Sequence, residues 1–142
     1  MFNFKDFEVI SYQPTGHANY APTLTINEKN IMFSSMCFTQ LKAPKYVRFM
    51  IDTKGKRIAV QGVNDKGSDT VMINPKKKYR TFGIYGCDII SEIRHIMSSW
   101  KDNERYKIQG EYFEEENVLL FKMKEAVIFV GGTNNHDRIV NK

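Results

Sequence analysis

The feature that most constrains the fold is the hairpin-like stretch KYVRFMIDTKGKRIAVQGV, from Lys45 to Val63. Apolar and polar side chains alternate along it, with Val47, Phe49 and Ile51 on one face, as in a half-buried strand. The tetrapeptide DTKG that follows, beginning at Asp52, predicts a type I turn that closes with a bulge. We therefore predict a β-hairpin with one face in the core and a cationic opposite face.

The second half of the chain carries the best helical pattern. Between residues 88 and 100, isoleucines, a methionine and a tryptophan recur at a spacing of three or four, which predicts an amphipathic helix. The segments RYKIQGEYF and VLLFKMK then alternate like strands on either side of an acidic turn, Glu114 to Asn117. A second hairpin is therefore expected after the helix.

Together these patterns predict an α+β fold with a twisted antiparallel sheet. The order strand, helix, strand, strand recurs, which suggests two related β-α-β-β units, 20–63 and 70–130, packed around the long helix of residues 88–100. Chance recurrence of elements in a β-rich chain is the alternative. At 142 residues the chain suits a single compact domain spanning 1–142, with 131–142 expected to be a mobile tail.

The first of these units has a pattern known from another family. Residues 23–63 resemble the AbrB-type transition-state regulators, with TLTINEKNIMFSS matching the first strand pair, MCFTQL the short helix and KYVRFMIDTKGKRIAVQ the closing hairpin. The resemblance implies the swapped-hairpin fold and dimerisation. Family members contact DNA largely through arginines, whereas the first turn here offers only Lys29 and the segment Met36 to Leu41 has no basic residue. The resemblance therefore does not carry DNA binding over to this chain.

Composition excludes several classes of protein. No segment approaches the roughly 18 apolar residues of a membrane span, and the N-terminus lacks the apolar run of a secretory signal. Cys37 and Cys87 have no CxxC partner, so neither a zinc site nor a disulfide framework is indicated. We expect a cytoplasmic protein with buried thiols and no contact with membranes.

The basic residues are concentrated in the middle of the chain. Residues 41–80 carry eleven basic and three acidic side chains, although the whole chain has a net charge of only +5. Cations that neutralise phosphates release counterions, so such a cluster is typical of a nucleic-acid-binding surface. The alternative is a solvated outer face that protects a hairpin. The predicted nucleic-acid-binding residues are Lys45, Arg48, Lys54, Lys56, Arg57, Lys76, Lys77, Lys78 and Arg80.

No group of residues with the spacing of a catalytic or metal site is present. The three histidines are isolated from one another, and neither a dinucleotide fingerprint nor an H-E-x-x-H motif occurs. Three consecutive glutamates at the second turn are more typical of a solvent-facing turn than of a metal site. We predict a protein that is not an enzyme and that uses no cofactor and no metal.

The prediction is therefore a non-enzymatic binding protein, with nucleic acid as its first partner and with a homodimer formed through exposed hairpin edges. Its small size and lack of catalytic motifs are typical of a phage or mobile-element product. The alternatives are an inhibitor or adaptor that binds an acidic protein partner, such as a host or defence protein, and a pocket for a small anionic or nucleotide ligand.

Overall fold

The computed structural model describes residues 21–75 and 80–129. Within these ranges it contains nine β-strands and two α-helices. The strands are β1 (Thr23–Ile26), β2 (Asn30–Phe33), β3 (Tyr46–Asp52), β4 (Arg57–Val63), β5 (Val71–Met72), β6 (Phe82–Tyr85), β7 (Tyr106–Phe113), β8 (Val118–Lys122) and β9 (Val127–Ile128). The helices are α1 (Ser35–Gln40) and α2 (Cys87–Ile96), and a 3₁₀ turn spans Met123–Glu125.

All the strands belong to one antiparallel sheet. Its order is β5-β3-β4-β8-β7-β1-β2-β6, and β9 pairs with the beginning of β7 beside the end of β8. The sheet curls into half a barrel, so its inner face encloses the core and its outer face looks away from it. The alternation of side chains along each strand then decides which residues are buried.

The core consists mostly of strand side chains. Phe33 stacks on Phe82 with ring centroids 4.7 Å apart, and it meets Phe121 edge-on at 6.1 Å. The other fully buried large residues on the strands are Leu24, Ile26, Ile31, Ile58, Ile108 and Leu119. Burying each such side chain contributes roughly 1.5–3 kcal/mol, which makes this layer the main source of stability.

The predicted α+β fold, with two β-α-β-β units packed around one long helix, is wrong. The protein is mostly antiparallel sheet, and its two helices have six and ten residues. Helix α2 contributes only Ile90 and Ile93 as buried residues, whereas the strands supply most of the core. The sheet is therefore the scaffold, and the helices cover it.

Helix α2 ends at Ile96, although the apolar pattern continues to Trp100. Met97 leaves the helical conformation with φ −100° and ψ 65°. The Trp100 ring then stacks on the Tyr106 ring, with centroids 4.1 Å apart. The Arg94 guanidinium donates to the carbonyl oxygens of Lys101 and Glu104 and holds this non-helical segment against the helix. Apolar spacing alone does not distinguish a helix from a loop that packs its side chains on the same core.

Both predicted hairpins are confirmed. They are β3–β4, paired from Tyr46↔Val63 to Asp52↔Arg57, and β7–β8, which pairs as far as Phe113↔Val118. Each turn has four residues and ends in a left-handed residue, Lys56 with φ 55° or Asn117 with φ 57°. The hairpins are joined by antiparallel pairing of β4 with β8 over five residue pairs.

Other sequence predictions fall outside the described residues or stay predictions. The expected tail at 131–142 lies outside them, and the single compact domain spanning 1–142 stays a prediction. Among the residues described, no helix is long and apolar enough to cross a membrane.

Gly110 offers a test of how closely the sheet is packed. A Cβ atom at Gly110 would lie 2.6 Å from the Phe121 ring, so an alanine must displace a fully buried aromatic side chain. We expect Gly110→Ala to lower the free energy of unfolding by about 1–3 kcal/mol in a urea titration.

Gly67→Ala is the matched control, because its Cβ would meet only the Asp69 carboxylate at 3.3 Å and the Thr70 methyl group at 3.6 Å in an exposed loop. The control should change the free energy by less than about 0.5 kcal/mol. Equal stability of the two variants would contradict the packing described for Phe121.

Candidate binding surface

The outer face of β3, β4, β8 and β7 is the main exposed surface formed by the two hairpins. Ile58 and Val60 of β4 point into the core, as do Leu119 and Phe121 of β8. The residues between them in sequence therefore point outward. The strand registers align these outward side chains in rows that run across the four strands.

The two predicted arginines of the first hairpin, Arg48 and Arg57, are both engaged in ion pairs. The Arg48 Nε lies 2.9 Å from Asp69, and its guanidinium also donates to the Gln61 side chain. Arg57 donates two hydrogen bonds to Asp52, at 2.7 and 2.9 Å. Their charges are partly neutralised, so the cationic face is weaker than a count of charges indicates.

A second basic segment lies beside the first turn. In the register of β4 with β8, Arg57 stands directly opposite Lys122. The amide of Met123 donates to the carbonyl oxygen of Lys56, which brings Lys124 to the same end of the sheet. We name this group the basic end; it consists of Lys54, Lys56, Arg57, Lys122 and Lys124. The acidic residues beside it are Asp52, Glu111 and Glu125.

The remaining predicted site residues do not join the basic end. Lys45 precedes β3, at the opposite end of that strand from the turn. Arg80 is exposed just before β6, which is the edge strand at the end of the sheet farthest from β3 and β5. Lys76, Lys77 and Lys78 lie outside the described residues, so their role stays a prediction.

The turn between β7 and β8 carries the opposite charge. Its exposed side chains Glu114, Glu115 and Glu116 form what we name the acidic tip. Asn117 anchors this tip by donating to the carbonyl oxygens of Leu41 and Gly62, at 3.1 and 3.2 Å. Asn117 also accepts a hydrogen bond from the Tyr112 hydroxyl. Because β4 and β8 are antiparallel, the acidic tip and the basic end lie at opposite ends of the strands.

An apolar band crosses the outer face between the two charged ends. Phe113 is 41% exposed and stands opposite Val118, while Met50 is 36% exposed and stands opposite Ala59. Leu120 connects them, since it follows Val118 on the same face of β8 and pairs with Ala59. The band is Phe113, Val118, Leu120, Ala59 and Met50.

Two shallow depressions flank Leu120. One has a volume of about 180 Å³ and the other about 480 Å³. The first is lined by Met50, Ile51, Asp52, Arg57, Ala59 and Leu120. The second is lined by Gln109, Gly110, Glu111, Leu120, Lys122 and Glu125. Both lie on the outer face, between the apolar band and the basic end.

Lys122 and Lys124 are not among the binding residues predicted from the sequence. They sit in the segment FKMKE, where lysines alternate with Phe121 and Met123, both fully buried. That alternation marks the lysines as outward-facing, and it was available in the sequence. Their proximity to the first turn was not, because it depends on the pairing of β8 with β4 across about sixty positions of the chain.

A cleft larger than either depression lies elsewhere, between the β1–β2 turn and the loop after α2. Its volume is about 540 Å³, and its lining is polar and of mixed charge. The residues are Asn27, Glu28, Lys29, Asn30, Asp102, Asn103, Glu104 and Arg105. Over residues 21–75 and 80–129, no group of three or more His, Cys, Asp or Glu side chains is placed to hold a metal ion.

The cysteines differ in their environments. Cys37 is fully buried, and its thiol donates to the Thr23 carbonyl oxygen at 3.3 Å. Burial raises the pKa of the Cys37 thiol to about 11, so little thiolate exists at neutral pH. Cys87 is exposed at the first position of α2, against the prediction that both thiols are buried.

This difference predicts two rates of thiol modification. At pH 8 the Cys87 thiol should react with Ellman's reagent in the native protein, and Cys37 should react only after denaturation. The Cys87→Ser variant should lose the fast phase alone. Two fast-reacting equivalents in the native protein would contradict the burial of Cys37.

The Asp52 carboxylate predicts a pH dependence of stability. A hydrogen bond from the Gly55 amide and the contact with Arg57 hold the pKa of Asp52 below its ordinary value of 3.8. The ionised form therefore stabilises the folded state above the unfolded pKa, and this contribution is lost as the pH falls through the folded pKa. We expect Asp52→Asn to melt at a lower temperature than wild type at pH 7.

The difference in melting temperature should shrink as the pH falls below about 4 and vanish below the folded pKa of Asp52. Arg57→Gln should raise the pKa of the Asp52 carboxyl only part of the way, because the Gly55 amide still donates to it. Carbon-detected NMR of the carboxyl group measures this pKa directly. A difference in melting temperature that grows in acid would refute the sign.

No family model matches the chain, and no match was found among curated proteins or among solved structures. The resemblance of residues 23–63 to the AbrB-type regulators therefore stays a prediction. The functional argument therefore rests on the charges and contacts of the outer face.

Proposed function

We propose that the protein is a non-enzymatic binding protein that holds nucleic-acid phosphates with its basic end. The observation that carries this proposal is the cross-strand pair of Arg57 and Lys122. Like charges directly opposite one another in a sheet are destabilising, typically by about 0.2–1 kcal/mol. The Asp52 carboxylate already pairs with Arg57, and a phosphate bound beside Lys122 offsets the rest of the cationic charge.

The surrounding residues support the same site. Lys54, Lys56 and Lys124 add three cations from the turn and the 3₁₀ segment, and the acidic residues near them are Asp52, Glu111 and Glu125. Lys54 and Lys124 are exposed, and none of the three lysines has a side-chain partner in the ion pairs described above. Cations of this kind bind phosphate without base specificity, so the expected affinity is electrostatic and depends on salt.

An acidic protein partner is the second candidate, and the apolar band is the observation that favours it. Protein interfaces commonly combine an apolar centre with a charged rim, and the band lies between two charged ends. Nucleic-acid phosphates gain nothing from Met50 or Phe113. The effect of these two side chains on binding therefore separates the two candidates.

The test of nucleic-acid binding is a salt series with a 20-base-pair DNA duplex and a 20-nucleotide single strand. We expect affinity at about 50 mM salt that falls steeply as salt rises. The double variant Lys122→Gln, Lys124→Gln should reduce the slope of log K against log salt by roughly 1.4–1.8, since each phosphate contact contributes about 0.7–0.9.

The matched control is Lys29→Gln, Lys101→Gln. It removes the same charge from the β1–β2 turn and the loop after α2, which lie outside the basic end. It should leave the slope nearly unchanged. A further variant that replaces Lys76, Lys77 and Lys78 with Gln tests the predicted cluster outside the described residues. No binding at about 50 mM salt, or an equal loss in the control, would refute the proposal.

A further inference from the structure

We propose that a second copy of this chain docks on the outer face of β3, β4, β8 and β7, with the acidic tip of each copy against Lys122 and Lys124 of the other. This proposal does not depend on nucleic-acid binding. It commits to a partner for the apolar band and the acidic tip, which the function proposed above leaves unused.

The charge arrangement of the β7–β8 hairpin is self-complementary. Glu114, Glu115 and Glu116 come shortly before the first residue of β8. Lys122 is the last residue of β8, and Lys124 lies two residues beyond it. At about 3.4 Å per residue, the five residues of β8 separate the two charged groups by roughly 17 Å. This distance exceeds the Debye length at physiological salt, about 8 Å, so the groups do not neutralise each other within one molecule.

A twofold axis perpendicular to the strands exchanges the two ends. A copy placed face to face about such an axis puts its acidic tip over the lysines of the first copy, and the reverse contact forms at the same time. A twofold interface requires that one surface complement itself, and a strand with opposite charges at its two ends meets that condition.

The apolar band supplies the centre of this contact. The same axis carries the Phe113 ring from the acidic end of one copy to the opposite end of β7 in the other. There it faces the depression of about 480 Å³, in which Leu120 is the large apolar residue and the rest of the lining is Gln109, Gly110, Glu111, Lys122 and Glu125. An exposed aromatic side chain and a depression of this size then cover each other, as in the core of protein interfaces.

Contact through a sheet face differs from the edge-to-edge dimer expected from the sequence. Pairing of sheet edges adds backbone hydrogen bonds and does not depend on side-chain charge. Docking through the outer face depends on both the charges and Phe113. The two dimers therefore respond differently to substitution.

A charge-swap experiment tests the proposal. Sedimentation velocity at about 50 mM salt should show that the full-length wild-type chain dimerises. Lys122→Glu, Lys124→Glu and, separately, Glu114→Lys, Glu116→Lys should each weaken dimerisation by at least tenfold, because like charges then meet at both contacts. An equimolar mixture of the two variants should restore the dimer, as should one chain that carries all four substitutions.

Restoration cannot follow from misfolding, since each variant must fold in order to complement the other. Phe113→Ser should also weaken the dimer, whereas Tyr85→Ser is the control, because Tyr85 is 68% exposed on β6, outside the band. A monomeric wild type at about 200 μM protein, or swapped variants that dimerise as well as wild type, would refute the proposal.

A second copy and a polyanion compete for Lys122 and Lys124. Titrating the dimer with the 20-nucleotide strand should therefore yield monomers bound to nucleic acid. A dimer that dissociates at high salt yet binds no nucleic acid supports the second copy and refutes the function proposed above. A wild-type chain that stays monomeric and binds nucleic acid through Lys122 and Lys124 would refute docking of a second copy and support the function proposed above.

Discussion

The pairing of β4 with β8 is the constraint on which the rest of the structure depends. Five residue pairs, from Arg57↔Lys122 to Gln61↔Val118, join two hairpins that are far apart in the chain. Ile58 and Val60 are buried beside Leu119 and Phe121 only in this register. A slip of one residue would turn Leu119 and Phe121 outward and bring Val118, Leu120 and Lys122 to the core face, so the core itself holds the register. The same register orients the turns of the two hairpins in opposite directions.

Local patterns were sufficient to predict both hairpins, because each depends on contacts between near neighbours in the sequence. The predicted first turn was less accurate, since its left-handed residue is Lys56, which lies just after the predicted DTKG segment. The length of α2 was predicted wrongly for a physical reason. Met97 and Trp100 continue the apolar spacing, but they reach the core from a loop, and the Tyr106 ring gives Trp100 a partner that no local pattern contains. The predominance of sheet follows from long-range pairings such as β1 with β7 and β2 with β6, which alternation alone does not assign.

The candidate site was predictable to a similar extent. Exposure of the lysines around the first turn follows from the alternation of the strand. The partners of Arg48 and Arg57 do not follow from it, since Asp69 reaches Arg48 from a loop that folds back across 21 positions. The segregation of charge was therefore visible in sequence, whereas its neutralisation at two arginines required coordinates. Lys122 and Lys124 are different, because the sequence pattern did not single them out. They belong to the candidate site only because β8 pairs with β4 beside the first turn.

The opposed cations of Arg57 and Lys122 have a consequence for the thermodynamics of folding. Unfolding separates the two side chains, so an anion bound at the proposed phosphate site would have to bind the native state in preference to the unfolded chain. Such linkage raises the melting temperature with the logarithm of anion concentration. If the proposed phosphate site is correct, sulfate, phosphate and polyphosphate are therefore among the variables that determine the stability of the fold.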